Sequence, residues 1–232
     1  MGLHVSGTVM AAEIQGSVVI LDLKTQAYHI LNPVGTSMWN ALVSEEDAAH
    51  ALQVLQNRYS AEPTRIQADL EAFRRNCLEM GFLQKDKPAP IPPSGVRVEA
   101  GRRGFLAMRA WWSLFRTVRS LSAKGFSWTY QDYARIPIPK EAEDSDLLLK
   151  RALSAFRTAE NFFLSRRAPS DCVPRSLALF RFLRSAGLEV EHRIGVRRFP
   201  FQAHAWVEHH GRVVLDNPAR RTVYDRLASI PP

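Results

Sequence analysis

The chain has 232 residues, 46% of them hydrophobic, with 31 Lys/Arg against 23 Asp/Glu, enough to bury one large core or two small ones. No run approaches the ~20 apolar residues that cross a bilayer, and residues 1–9 have neither the basic nor the apolar region of a signal peptide. Membrane insertion and export are therefore not expected; the expected compartment is the cytoplasm, with Cys77 and Cys172 as free thiols.

The charge is uneven. Residues 1–90 hold 7 Lys/Arg against 10 Asp/Glu, and residues 91–232 hold 24 against 13. The change falls on residues 84–96, where four prolines stand within six residues, as in a semi-extended linker. The expected division is a domain over 1–86, a Pro-rich linker over 87–99 and a second domain over 100–232.

In the first domain, residues 5–14, 18–22 and 27–31 are β-prone. Asn32 before Pro33 is a helix start, a capping side chain followed by a residue whose missing N–H costs nothing there. That helix runs through Met38, Trp39, Leu42 and Val43. A second is expected over 46–59. A third starts near Pro63 and places Ile66, Leu70, Phe73, Cys77 and Met80 on one stripe, ending at Gly81. Three strands followed by three helices is a winged-helix-like layout. Such layouts often bind DNA, but this half is acidic, and Asp69, Glu71 and Glu79 offset Arg65, Arg74 and Arg75, so nucleic acid is not an expected partner.

The string from Ser17 to Trp39, above all Tyr28…Leu31-Asn-Pro-Val-Gly35…Trp39, together with residues 68–73 and 80–83, resembles the PqqD-like peptide chaperones, or RiPP recognition elements. The resemblance implies that the leader of a precursor peptide adds as a strand beside Ala27, Tyr28, His29, Ile30 and Leu31. It would pack on Phe73, Arg74 and Cys77, with backbone bonds for affinity and side-chain pockets for choice. Phe73 and Cys77 also read as plain core residues, and for Cys77 that is the simpler reading.

In the second domain, residues 104–121 read as a helix with Phe105, Met108, Trp112 and Phe115 on one side and Arg102, Arg103, Arg109, Arg116 and Arg119 on others. The pattern fits a membrane-surface helix, a docking face or an amphipathic helix on its own core. Another apolar helix spans 147–164. Ser170 and Asp171 then cap a largely buried helix that Gly187 closes, and Cys172 in its first turn feels the positive end of the helix dipole, which lowers a thiol pKa.

Residues 202–208 and 212–216 alternate as a hairpin. A three-residue loop with Glu208 opposite Arg212 would gather Ala203, Ala205, Val207, Val213 and Leu215 on one apolar face and set His204 across from Asp216; a two-residue loop would mix the faces. The first register is the expected one, with Gly211 at positive φ. Thiol, imidazole and carboxylate supply the roles of a nucleophilic triad. A buried thiol, a strand histidine and a hairpin aspartate with no shared site would give the same spacing.

Residues 171–180, 194–197, 200–201 and Ala203-His-Ala-Trp-Val-Glu208 resemble the transglutaminase-like peptidase of lasso-peptide pathways, best over 147–218. With the PqqD-like half, the chain resembles the B proteins of those pathways. This implies an α+β chain: a winged-helix-like domain followed by a papain- or transglutaminase-like cysteine peptidase with Cys172, His204 and Asp216 as triad. It also implies a precursor leader as substrate and an asparagine-synthetase-like cyclase as partner. Gln202 is the candidate second oxyanion donor. No Gly-x-x-x-x-Gly-Lys-Ser/Thr loop is present and no cofactor is expected. No metal site is expected either, since His192, His209 and His210 read as solvated loop histidines. Two other functions fit the same residues, a non-catalytic peptide chaperone and acyl or glutamine transfer by the triad.

Overall fold

The computed structural model describes residues 3–44, 48–87, 105–139, 145–164 and 172–230. It divides into two compact units, Met1–Pro90 and Ile91–Pro232. All but the first residue of the expected linker over 87–99 lies outside the described residues, as do Glu46, Arg102, Arg103 and the expected cap at Ser170 and Asp171.

The first unit opens with β1 (His4–Val5), β2 (Val9–Ile14), β3 (Ser17–Asp22) and β4 (Tyr28–Ile30). The single strand expected over 5–14 is thus two. The chain turns at Gly7 and Thr8, and β1 pairs with β5 (Leu83–Gln84), a strand that sequence reading missed. β2, β3 and β4 form an antiparallel sheet with β4 at its end. Asp22 organises the β3–β4 turn, its carboxylate accepting from the Lys24 N–H and the Thr25 hydroxyl, both at 2.8 Å.

Three helices follow, α1 (Pro33–Ser44), α2 (Ala48–Arg58) and α3 (Pro63–Glu79). Asn32 caps α1 as its sequence suggests, Oδ1 accepting from the Gly35 N–H at 2.7 Å. Their apolar stripes close over β3. Val18, Ile20, Trp39, Leu42, Leu55, Ile66, Leu70, Cys77 and Phe82 form one buried cluster.

The second unit contains α4 (Leu106–Ala134), α5 (Ser145–Leu164), α6 (Cys172–Ser185) and α7 (Arg220–Val223). It also holds β6 (Glu191–Arg197), β7 (Gln202–His209), β8 (Arg212–Val214) and β9 (Asp225–Ile230), which form an antiparallel sheet in the order β8-β7-β6-β9. α4 is not one rod. Gly125, at φ 78° and ψ 173°, breaks it in a conformation that only glycine adopts at little cost. The two limbs fold against each other, so that Thr117 meets the Tyr133 hydroxyl and Ser120 meets Thr129, both at 2.8 Å.

α6 is buried from Ser176 to Arg184 because it packs against α4 on one side and the sheet on the other. The Ser113 hydroxyl of α4 donates to the Ala178 carbonyl at 2.9 Å. Opposite, Leu177, Phe180 and Leu183 share the core with Ile194, Val196, Ala205 and Val207.

Candidate active site

Cys172 is the first residue of α6 and is half-buried. His204 lies on β7 and Asp216 just past β8. His204 Nε2 and Asp216 Oδ2 are 2.6 Å apart, and the same imidazole hydrogen-bonds the Cys172 thiol. With Nε2 turned to the carboxylate, Nδ1 is the nitrogen left for sulfur. The structure therefore brings all three residues together.

Each group is shifted by its neighbours. Burial pushes the Cys172 thiol up, but the His204 hydrogen bond, the Ala205 N–H, the imidazole charge and the N–H of Cys172 itself outweigh it, and its pKa falls below the ordinary value. The hydrogen bond with Cys172 raises His204, burial opposes it, and Asp216 adds to the rise. Burial pushes Asp216 up, yet His204, the Asn217 N–H and Arg220 together hold it below the ordinary carboxylate range. The arrangement favours thiolate, imidazolium and carboxylate.

The expected hairpin register is not formed. β7 pairs Glu208 with Val213 and His209 with Arg212, closed by a two-residue turn of His210 and Gly211 at φ 44° and 72°. Of the expectation, the positive φ of Gly211 and the meeting of His204 with Asp216 hold, but the register does not. Sorting by polarity presumed one solvated face, but β7 is buried on both faces from Ala205 to His209. Glu208 is only 2% exposed; it accepts from Trp206 Nε1 at 2.9 Å and forms an ion pair with Arg193 at 3.2 Å. Continued, this ladder would set His204 across from Asn217. Leu215, at φ 54°, ends the alternation after Val214 and re-aims the next carboxylate at His204.

Sequence reading also missed the residues that steady the site. Arg175, one turn into α6, hydrogen-bonds the Glu160 carboxylate of α5 and donates to the Leu215 carbonyl at 3.1 Å. It ties the thiol's helix to the segment that carries Asp216. Trp206 lies nearly parallel to the His204 ring, centroids 6.2 Å apart, and Tyr224 tilts against both. Gln202 is exposed, its Oε1 accepting from Arg197 at 2.8 Å and the Tyr224 hydroxyl at 3.2 Å. His192 and His209 are buried rather than solvated, and only His210 is exposed. His192 is wholly enclosed, its Nε2 2.9 Å from the Ser176 hydroxyl.

In the first unit β4 lies at the end of its sheet. Backbone bonds from Asp22 to Ala27 and from Leu31 to Val18 carry the pairing one residue beyond each end of β4. Ala27, His29 and Leu31 thus turn their backbone groups toward β3, and by alternation Ile30, 44% exposed, turns its own outward. The His29 ring meets Phe82 at 4.9 Å. Phe73 is half-buried against the core, and Arg74 is engaged by Glu71 at 2.5 and 2.8 Å. Cys77 is buried in that core, its thiol pushed up to about 11 by burial.

A half-buried thiol at a helix start, fixed by an imidazole–carboxylate pair on an antiparallel sheet, is a site built for a sulfur nucleophile. The chain belongs to the transglutaminase-like superfamily, which it matches over residues 112–229, just over half its length. Residues 17–83 match the family of coenzyme PQQ synthesis protein D, PqqD. This is the pairing of modules found in the lasso-peptide B proteins that the sequence resembles. Among curated proteins it is similar to the Escherichia coli microcin J25-processing protein McjB, at 43% identity over 61 residues. That match spans 26% of this chain and 29% of the relative. A solved structure titled "TbiB1 in Complex with the TbiA(beta) Leader Peptide" is similar at 26% identity and a TM-score of 0.34, over 37% of this chain and 99% of its own. Among the described residues no helix is long and apolar enough to cross a membrane.

Proposed function

We propose that the chain is the leader peptidase of a lasso-peptide pathway, binding the precursor's leader with its first unit and cutting the precursor with its second. The observation that carries this is the hydrogen-bonded series Cys172–His204–Asp216. Cys172 acts as the nucleophile. His204 takes the thiol proton and later returns one to the leaving amine. Asp216 fixes the imidazole tautomer. The helix start supplies the Cys172 N–H as one oxyanion donor, and Gln202, two residues before His204 on the same face of β7, is the side chain proposed for a second.

The leader adds as a strand beside residues 27–31, with Phe73 and Arg74 of α3 along its side. In this reading the first unit, over residues 1–86, is winged-helix-like and the second, over 100–232, papain-like. Both work in the cytoplasm beside an asparagine-synthetase-like cyclase that takes the freed amine. The PqqD match and the likeness to a microcin-processing protein support this assignment.

The test is to incubate the full chain and its Cys172→Ala variant with the precursor peptide and read product masses. The expected product has lost the leader, and only with Cys172 present. A Cys172-dependent mass gain or loss of ammonia would mean transfer instead of hydrolysis. Binding without any mass change would leave a peptide chaperone.

A further inference from the structure

The second unit holds a pocket of about 590 Å³ that the proposed cleavage does not use. Arg116, Arg119 and Lys124 of the first limb of α4 line it, with Trp128 and Asp132 of the second limb and Arg181 of α6. Arg181 is nine residues beyond Cys172. At 1.5 Å and 100° per residue it sits about 13.5 Å along the helix and on the opposite face from the thiol.

Four cations here face a single lining carboxylate. Among the described residues no carboxylate hydrogen-bonds or ion-pairs with any of the four, and Asp132 acts on Arg181 only through space. Aromatic rings hold three of them. Arg116 lies 5.1 Å from the Trp112 centroid, Lys124 3.5 Å from Trp128 and Arg181 6.0 Å from Tyr133. A ring orients a cation without cancelling its charge. Arg181 is only 9% exposed, a costly place for a guanidinium that has no bound counter-charge. Such a cluster is self-repulsive until an anion enters it.

We propose that this pocket binds an oligophosphate group, either free or carried on a small molecule. The pocket's volume is that of a small-molecule site. Its excess of three positive charges calls for a compact, multiply charged anion, and three guanidinium forks suit phosphate oxygens. Bound there, the anion would join both limbs of α4 to the helix that carries Cys172. The assignment stands apart from the cleavage chemistry, because its readout is binding.

The experiment is calorimetric titration of the full chain with sodium tripolyphosphate at fixed ionic strength, with citrate as a tricarboxylate control. Saturable one-to-one binding is expected, with citrate at least about tenfold weaker. Arg181→Gln and Arg119→Gln should each weaken tripolyphosphate about tenfold or more, the value of a charge-assisted hydrogen bond. Arg119 is exposed, so its variant keeps the test sound if Arg181→Gln misfolds. A nucleoside triphosphate titrated alongside separates the sources. Equal or weaker binding assigns the site to the phosphate chain alone, and tighter binding to a carried group. Absence of saturable binding, equal affinity for citrate, or unchanged affinity in Arg119→Gln would overturn the proposal.

Discussion

Asp216 is held by two groups of different kind, the His204 imidazole at 2.6 Å and the Arg220 guanidinium at 3.1 Å. Asparagine could keep the Arg220 contact through its carbonyl oxygen while losing the charge that supports imidazolium. Asp216→Asn should therefore fold normally but cut the precursor as much as about 10⁴-fold more slowly. Cys172 first and Asp216 after it raise His204, so the alkaline limb of the rate profile should also move to lower pH in this variant. An unshifted profile at the normal rate would remove Asp216 from the mechanism. His192 makes a separate prediction. Burial lowers its pKa to about 3, whereas the unfolded chain titrates near 6.5. Below 6.5 the unfolded state binds a proton that the folded state refuses, so the stabilisation is complete above 6.5 and drains away toward 3. At about 1.4 kcal/mol per unit, urea unfolding should show the natural chain losing about 2 kcal/mol more than His192→Gln between pH 7 and pH 5. Equal losses would mean that His192 protonates while folded. The sequence could not separate this histidine from His210, since both stand among polar neighbours, Glu191 and Arg193 for one and Glu208 to Arg212 for the other, and only the helix packed above His192 differs.

The helices of the first unit were legible because their apolar stripes and the Asn32–Pro33 start are local signals. Two features of the second unit were not. The second limb of α4 follows Gly125, beyond the expected helix end at 121, and contacts distant in sequence, Thr117 with Tyr133 and Ser120 with Thr129, show that the chain returns along itself. The hairpin register failed for a non-local reason too: polarity sorts the faces of a strand only when one face meets water, and β7 is covered on both. Cys172, His204 and Asp216, the residues proposed as the triad, nonetheless meet, because helix start, strand and hairpin end are coarse placements that survive a one-residue slip. β6 makes a further prediction at this scale. Gly195 pairs with His204 across the sheet, and a Cβ built on it would lie 2.7 Å from Trp206 Cη2 and 2.9 Å from Tyr224 Cβ. The indole lies against the His204 ring, so Gly195→Ala should cost about 1–3 kcal/mol in overpacking and reduce cleavage with it. Urea unfolding and rate measured on one preparation would check this. A fully stable, fully active variant would show that Trp206 has room to retreat.

At the scale of the molecule, acidic and basic halves coincide with two compact units, and each has its own interior. Every buried side chain of the first unit's cluster, from Leu3 to Leu83, comes from residues 3–83. β1 and β5 bring the beginning and end of that stretch together, closing it on itself. Among the described residues this interior draws on none beyond position 86, so the first unit should fold alone. The edge proposed to receive the leader, residues 27–31 with Phe73 and Arg74, also lies wholly inside it. Isolated residues 1–86 should therefore bind the precursor's leader within a fewfold of the full chain's affinity, while residues 100–232 alone should bind it far more weakly. Cleavage should depend on both, because the leader contacts concentrate substrate near Cys172 only when the two units are covalently joined. Fluorescence anisotropy of a labelled leader titrated with each fragment decides the matter. If 1–86 is folded by circular dichroism and fails to bind while the full chain binds, the leader is held by residues of the second unit, and the division of labour proposed for this chain is wrong.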